Sequence, residues 1–100
     1  MKKPITKKEL EKLKEQNISI LLVDIRSPQE YEKEHIPESI NVPINELNKN
    51  IAHFHKDDRI VCICNHGKER SQGANEMLSD AGIENAYYLI GGVIGWLLGH

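Results

Sequence analysis

A cysteine, a glycine and an arginine lie close together near the middle of the chain, in the segment Cys64-Asn65-His66-Gly67-Lys68-Glu69-Arg70. Cys64 directly follows the apolar residues 60–63, and a helical pattern begins at about Arg70. This order predicts a buried strand that ends at the thiol, with the backbone amides of residues 65–70 curling around the sulfur. Converging N–H groups at the start of a helix bind anions and favour the nucleophilic thiolate. The segment therefore predicts a cysteine nucleophile beneath an anion cradle.

The sequence leaves two alternative roles for each of three charged or polar side chains in this segment. Arg70 offers a fixed positive charge and a planar fork suited to an oxyanion, or it braces the loop. Lys68 either attracts anionic substrates or is an ordinary exposed lysine. His66 either contacts a substrate or contributes only its amide.

Elsewhere the sequence favours structural roles. Cys62 lies within the predicted strand, which indicates a buried apolar residue, with a resolving-thiol role as the alternative. Asp24 and Arg26 follow another apolar run, and we expect them to form an ion pair that pins the loop at the edge of the sheet. His53 and His55 flank a phenylalanine without a nearby carboxylate pattern, so they predict exposed helix positions rather than a metal site.

Apolar runs alternate with helical patterns along the chain, which predicts an α/β domain with a mostly parallel sheet of four to five strands between helices. The predicted strands are residues 18–25, 39–42, 59–63 and 86–90. The predicted helices follow Thr6, Ser27 and Asn45, span residues 70–81, and begin again after the Gly91-Gly92 pair. Thr6-x-x-Glu9 and Ser27-x-x-Glu30 both have the form of a capping box. The carboxyl ends of the strands would share one edge, where Cys64 and Asp24 would meet.

Length and composition limit the functional classes. The chain has 100 residues, enough for one domain over residues 1–100, and its net charge of −2 disfavours nucleic acid as a partner. The uncharged residues 85–99 fall short of the ~20 apolar residues that a membrane span needs. The Lys-rich start lacks the apolar stretch of a signal peptide, and the Cys-x-Cys spacing does not form a disulfide framework. We therefore expect a cytoplasmic protein without a membrane partner.

Several segments together resemble the rhodanese family across nearly the whole chain. The first half of the resemblance is Leu22-Val23-Asp24-Ile25-Arg26 with Glu30-Tyr31, then His35-Ile36-Pro37 and Asn41-Val42-Pro43. The second half is Val61-x-x-Cys64-x-x-Gly67, Arg70-Ser71, Gly82 and Gly91-Gly92 with Trp96. Each fragment is a weak signal, but their order and spacing together are specific. The resemblance implies a three-layer rhodanese-like fold.

The resemblance also implies sulfur transfer. Cys64 would take the sulfane sulfur of a donor such as thiosulfate, hold it as a persulfide, and pass it to cyanide or a thiol, with a protein acceptor left open. No metal or organic cofactor is required for this chemistry. The anion-binding residues would be Asn65 through Arg70, with Asp24 and Arg26 in support.

One departure from the family keeps two other functions open. In the common single-domain rhodanese loop the arginine comes one residue earlier, whereas Cys64-x5-Arg70-Ser71 is also similar to the loop of cysteine-dependent phosphatases and arsenate reductases on this scaffold. A wider loop suits a tetrahedral oxyanion, and Asp24 would then be a candidate general acid. Glu69 would repel a phosphate if it turned inward, and Gly67 keeps its rhodanese-like position. A non-catalytic binding module is the third alternative.

Overall fold

The sheet of this computed structural model, which describes residues 2–99, has five strands. They are β1 (Pro4–Ile5), β2 (Leu21–Asp24), β3 (Ile40–Asn41), β4 (Ile60–Ile63) and β5 (Ala86–Leu89). Their order across the sheet is β1-β5-β4-β2-β3, and all neighbouring pairs are parallel. Met1 and His100, the ends of the predicted domain 1–100, lie outside the described residues.

Helices cover both faces of this sheet. They are α1 (Lys7–Glu15), α2 (Pro28–Lys33), α3 (Ile44–Asn50), α4 (Glu69–Asp80) and α5 (Gly92–Leu97), with a 3₁₀ turn at Ile51–His53 after α3. One hydrophobic cluster includes Leu47 of α3 and Leu78 of α4. The other cluster includes Leu10 of α1 and Val93 of α5. The chain is therefore a three-layer α/β protein, which confirms the predicted fold class.

The two predicted capping boxes are both present. The Thr6 hydroxyl accepts from the Glu9 amide while the Glu9 carboxylate accepts from the Thr6 amide, and Ser27 and Glu30 exchange the same pair of bonds. These bonds satisfy amides that the first turn of a helix leaves without partners. Short-range sequence signals therefore fix where α1 and α2 begin.

Three local predictions were wrong or incomplete. Asn45 does not cap α3: the helix begins at Ile44 with Pro43 as the N-cap residue, so Asn45 lies inside the first turn rather than at the cap position. The strand predicted over residues 18–25 is confined to Leu21–Asp24. The sequence also gave no indication of β1, whose two residues pair with β5.

The carboxyl ends of the central strands meet at one edge of the sheet, as the sequence predicted. β4 lies between β5 and β2, and Asp24 at the end of β2 is in register with Ile63 at the end of β4. Cys64 therefore begins the connection to α4 directly beside the end of β2. Within residues 2–99, no helix has the length and apolar character needed to cross a membrane.

Candidate active site

The Cys64 loop, residues 64–68, connects β4 to α4. Cys64 retains 3% of its accessible surface, so its side chain is almost enclosed. The helix begins at Glu69, one residue earlier than predicted, which places Glu69 and Arg70 in the first turn of α4 rather than in the loop. The thiol thus lies between the end of a buried strand and the start of a helix.

Hydrogen-bond donors surround the Cys64 sulfur. Burial raises the pKa of the Cys64 thiol, but the Ser71 hydroxyl and the amides of Ser71, Lys68 and Gly67 together lower that pKa below its ordinary value. The Ser71 Oγ lies 3.1 Å from the Cys64 Sγ, and the two groups are buried. Donors aimed at a thiolate stabilise the charged form in a site that excludes most water. The loop therefore favours a thiolate at Cys64.

Gly67 lets the loop pass close to the neighbouring strand. Its backbone has a φ of +69°, in the left-handed region, and a Cβ there would lie 2.3 Å from the Leu89 carbonyl oxygen and 2.7 Å from the Gly91 nitrogen. A residue with a side chain would have to move the end of β5 to fit. The glycine is thus required by both conformation and space.

The amino end of α5 supports the other side of the loop. The Val93 amide donates to the Cys64 carbonyl at 2.9 Å, and the Ile94 amide donates to the Asn65 carbonyl at 3.0 Å. Gly92 has a φ of +57°, and a Cβ on it would lie 2.2 Å from the Cys64 carbonyl oxygen. These bonds satisfy the two loop carbonyls from α5, while the amides of Gly67 and Lys68 act on the Cys64 sulfur.

Asp24 and Arg26 form the predicted ion pair. The Arg26 Nη2 lies 2.8 Å from the Asp24 Oδ2, and both side chains are buried. Arg26 also donates to the Asn65 Oδ1 at 3.0 Å and to the Glu34 carbonyl at 2.6 Å. The pair therefore anchors a loop side chain at the edge of the sheet. Since both Asp24 oxygens accept bonds from Arg26, the carboxylate is engaged in this structural contact.

Arg70 pairs with a carboxylate of α2. Its Nη1 lies 3.2 Å from the Glu30 Oε1 and its Nη2 lies 3.4 Å from the Glu30 Oε2. The Glu30 Oε2 also accepts from the Asn65 Nδ2 at 3.0 Å. The bonds from Arg70, with those from the Ser27 amide and Asn65, lower the pKa of Glu30 to about 2. Arg70 is thus tied to α2 across the mouth of the loop.

Six of the predicted site residues line one open depression of about 300 Å³ above the thiol. Its lining is Cys64, Asn65, His66, Lys68, Glu69 and Arg70. The side chains of His66 and Lys68 are exposed, while Gly67 is buried beneath them. The structure therefore brings most of the predicted residues together, whereas Asp24 and Arg26 are buried and do not line the depression.

Other sequence candidates lie apart from this depression. Cys62 is fully buried in the core, and burial together with the charge of Cys64 raises its pKa to about 12. That pKa keeps Cys62 protonated, in agreement with its predicted structural role. Both cysteines are free thiols. His53 and His55 are exposed, as predicted, but His53 lies in the 3₁₀ turn and His55 beyond it, so the predicted helix positions were wrong.

Sequence reasoning missed three contributors to the site. Ser71 is the third residue of α4, and its Oγ lies 3.1 Å from the Cys64 Sγ, a contact that the Arg70-Ser71 motif does not indicate by itself. Glu30 was assigned to its capping box, which left its second role unseen. Val93 contributes only its amide, so no side-chain signal could have identified it.

The comparisons with known proteins agree with this architecture. The family model described as Rhodanese-like domain matches residues 6–98. A thiosulfate sulfurtransferase, GlpE of Pseudoalteromonas translucida, is 38% identical over 81 residues, which cover 77% of this chain and 72% of that protein. The chain therefore belongs to the rhodanese-like domain family. It spans about half the length of two other relatives, an uncharacterised Synechocystis protein at 50% and a putative sulfur carrier protein of Bacillus subtilis, YrkF, at 42%.

Solved structures give the same fold. A rhodanese-related protein from Thermoplasma volcanium superposes with a TM-score of 0.82 at 32% identity, covering 97% of this chain and 92% of that one. A Rhodopseudomonas palustris protein of unknown function, described as a possible tyrosine phosphatase, gives a TM-score of 0.81 at 26% identity, covering 97% of this chain and 80% of that one. The scaffold by itself therefore does not distinguish sulfur transfer from phosphate chemistry.

Proposed function

We propose that this protein is a sulfurtransferase that carries sulfane sulfur on Cys64. The Cys64 thiolate attacks the outer sulfur of thiosulfate, a new S–S bond forms, and the old S–S bond breaks as sulfite leaves with the electron pair. The product is a Cys64 persulfide anion. An acceptor such as cyanide or a thiolate then attacks the terminal sulfur, which gives thiocyanate or an acceptor persulfide and restores the Cys64 thiolate.

The observation that carries this proposal is the set of donors around the Cys64 sulfur. Amides of Gly67, Lys68 and Ser71 with the Ser71 hydroxyl favour the thiolate that must attack. The same donors suit the persulfide anion that follows, because preorganised N–H groups stabilise developing charge in a water-poor site. The step needs no metal or organic cofactor.

The other lining residues have supporting roles in this proposal. Lys68 is exposed at the mouth and attracts anionic donors, and His66 stands beside it, open to substrate. Asn65, held by Arg26 and Glu30, fixes the start of the loop. Arg70 braces the loop through its ion pair with Glu30, while Glu69 begins α4 with its side chain exposed.

We also propose that the acceptor is a small thiol, cyanide or a protein thiol. The relative YrkF is named a putative sulfur carrier protein, and an Ogataea parapolymorpha relative is named an adenylyltransferase and sulfurtransferase. Both names are consistent with transfer to another protein. Two free thiols suit a reducing compartment such as the cytoplasm.

The first test is the intact mass of the reduced protein after incubation with thiosulfate, followed by peptide mapping. We expect a gain of one sulfur atom on Cys64, and its loss on addition of cyanide with release of thiocyanate. Cys64→Ser is the matched variant that must show no adduct. A folded wild-type protein that gains no sulfur would contradict the proposal.

A phosphatase or arsenate reductase is the second candidate, since the Cys64-x5-Arg70 spacing fits a phosphate loop. The ion pair of Arg70 with Glu30 disfavours it, because an arginine that serves a phosphate must direct its charge to the ligand. This candidate predicts hydrolysis of an aryl phosphate, with inhibition by vanadate. A non-catalytic binding module predicts neither activity. The two assays, run on one preparation, separate the three functions.

A further inference from the structure

Glu30 connects α2 to the Cys64 loop through one carboxylate. Its Oε1 accepts from the Ser27 amide at 3.1 Å and the Ser27 hydroxyl at 3.2 Å, as the capping box requires. Its Oε2 accepts from the Asn65 side chain at 3.0 Å, and both oxygens face the Arg70 guanidinium. The carboxylate is therefore placed between the start of α2 and Arg70, which lines the depression.

This placement changes the charge that an incoming anion meets. Four charged side chains are involved, and their signs cancel: Lys68 and Arg70 are positive, Glu69 and Glu30 negative. An arginine that already pairs with a carboxylate attracts a third ion less strongly than a free one. Binding of an anion at the thiol then depends mainly on the backbone amides of the loop.

We infer that Glu30 limits the affinity of the Cys64 loop for dianions by pairing with Arg70 and so withholding its guanidinium from the bound anion. Glu30 thus acts as a specificity-determining residue through Arg70, without contacting the sulfur itself. It keeps a loop with phosphatase-like spacing from holding a tetrahedral dianion tightly. This role of Glu30 deepens the proposed sulfur transfer. Of the measurements that test it, only the thiosulfate kinetics rest on that function, whereas sulfate binding does not.

The test measures sulfate binding by following the loop amide signals in an NMR titration at constant ionic strength. Cys64→Ser is the background, because it removes the thiolate charge that would repel the probe. Glu30→Gln is the informative change, since glutamine also satisfies a capping box and so preserves the start of α2. We expect sulfate to bind about threefold to fivefold more tightly, as for the loss of one partly exposed opposing charge.

The matched control is Glu32→Gln, which removes the same charge from an exposed position of the same helix. It should change sulfate affinity by much less. A double-mutant cycle with Arg70→Gln tests whether Glu30 affects sulfate binding through Arg70. If Glu30 acts through Arg70, the gain from Glu30→Gln disappears in the Arg70→Gln background. The gain should also shrink as salt screens the charges.

A gain that persists in the Arg70→Gln background, or no gain beyond that of Glu32→Gln, would overturn the inference. Should Glu30→Gln fail to fold, Arg70→Gln alone decides: a loss of sulfate affinity no larger than about threefold to fivefold, the effect of one unpaired charge, supports the inference, and a loss of about tenfold or more overturns it. In the active protein, Glu30→Gln should lower the KM for thiosulfate more than it changes kcat. If the wild type forms no persulfide, the sulfate titration can still be carried out and read. Failure of the proposed sulfur transfer is therefore distinguishable from failure of the role inferred for Glu30.

Discussion

The Val93 amide donates a hydrogen bond to the Cys64 carbonyl at 2.9 Å, which joins the last helix to the residue that carries the candidate nucleophile. The bond satisfies the Cys64 carbonyl with a donor from α5. Residues almost thirty positions apart in sequence thereby shape one anion site. Gly92 allows this approach, because only a residue without a Cβ fits against the Cys64 carbonyl.

Gly92→Ala should therefore damage both stability and activity. We expect a loss of at least about 1–2 kcal/mol from the left-handed backbone alone, with more from the clash against the loop. Gly73→Ala is the matched control, because a Cβ there meets nothing within 4 Å inside α4, and it should stabilise the protein by up to about 1 kcal/mol. Urea unfolding measures both changes. Equal behaviour of the two variants would show that α5 does not support the loop.

Cys64→Ser should abolish sulfur transfer, whereas Cys62→Ala should retain most of it. Cys62 is buried with its pKa raised to about 12, so it does not supply a thiolate near neutral pH. Thiocyanate formation from thiosulfate and cyanide is the measurement, with circular dichroism as the check on folding. Comparable loss in two folded variants would contradict the role proposed for Cys64.

Ser71→Ala should raise the pKa of Cys64 and slow its alkylation at neutral pH. The Ser71 hydroxyl is one of the donors that hold this pKa below its ordinary value against the effect of burial. The pH dependence of iodoacetamide labelling, read at Cys64 by peptide mapping, measures the change. Gln72→Ala, one residue further along α4, is the control. An unchanged labelling profile for Ser71→Ala would mean that the backbone amides alone set the thiolate.

The ion pair of Glu30 and Arg70 should make part of the stability depend on pH. The pKa of Glu30 falls from 4.5 to about 2 on folding, so its contribution is full above pH 4.5 and is lost as the pH falls towards 2. Glu30→Gln should thus lower the urea midpoint near neutral pH, and the difference from wild type should shrink over that acid range. The difference in stability between the two proteins stays modest, since the side chains of Glu30 and Arg70 are both partly exposed. A difference that is constant with pH would contradict the prediction, because it would show that the ionisation of Glu30 does not contribute to stability.

Much of the fold follows from local patterns in the sequence. Apolar runs beside capping signals at Thr6 and Ser27 place α1 and α2, because these signals act within four residues of the helix start. β1 was not predictable in this way: two residues that include a proline have no periodicity, and they become a strand only when β5 provides a partner. Asn45 shows the reverse case: it is a favourable capping residue by type, but α3 begins one residue before it, where the Ile44 amide donates to the Ile25 carbonyl.

The sequence alone determined the chemical type of the site: a thiol at a strand end, followed by glycine, a basic residue and a helix. It left open what Arg70 does, and it gave Glu30 only a local role. The role of Arg70 and the second role of Glu30 depend on tertiary structure. The helices α2 and α4 are distant in sequence, and their side chains meet only because the strands β2 and β4 lie side by side. Residue types and spacing specify which groups are available, whereas the packing of the sheet decides which charges cancel and which remain free to bind.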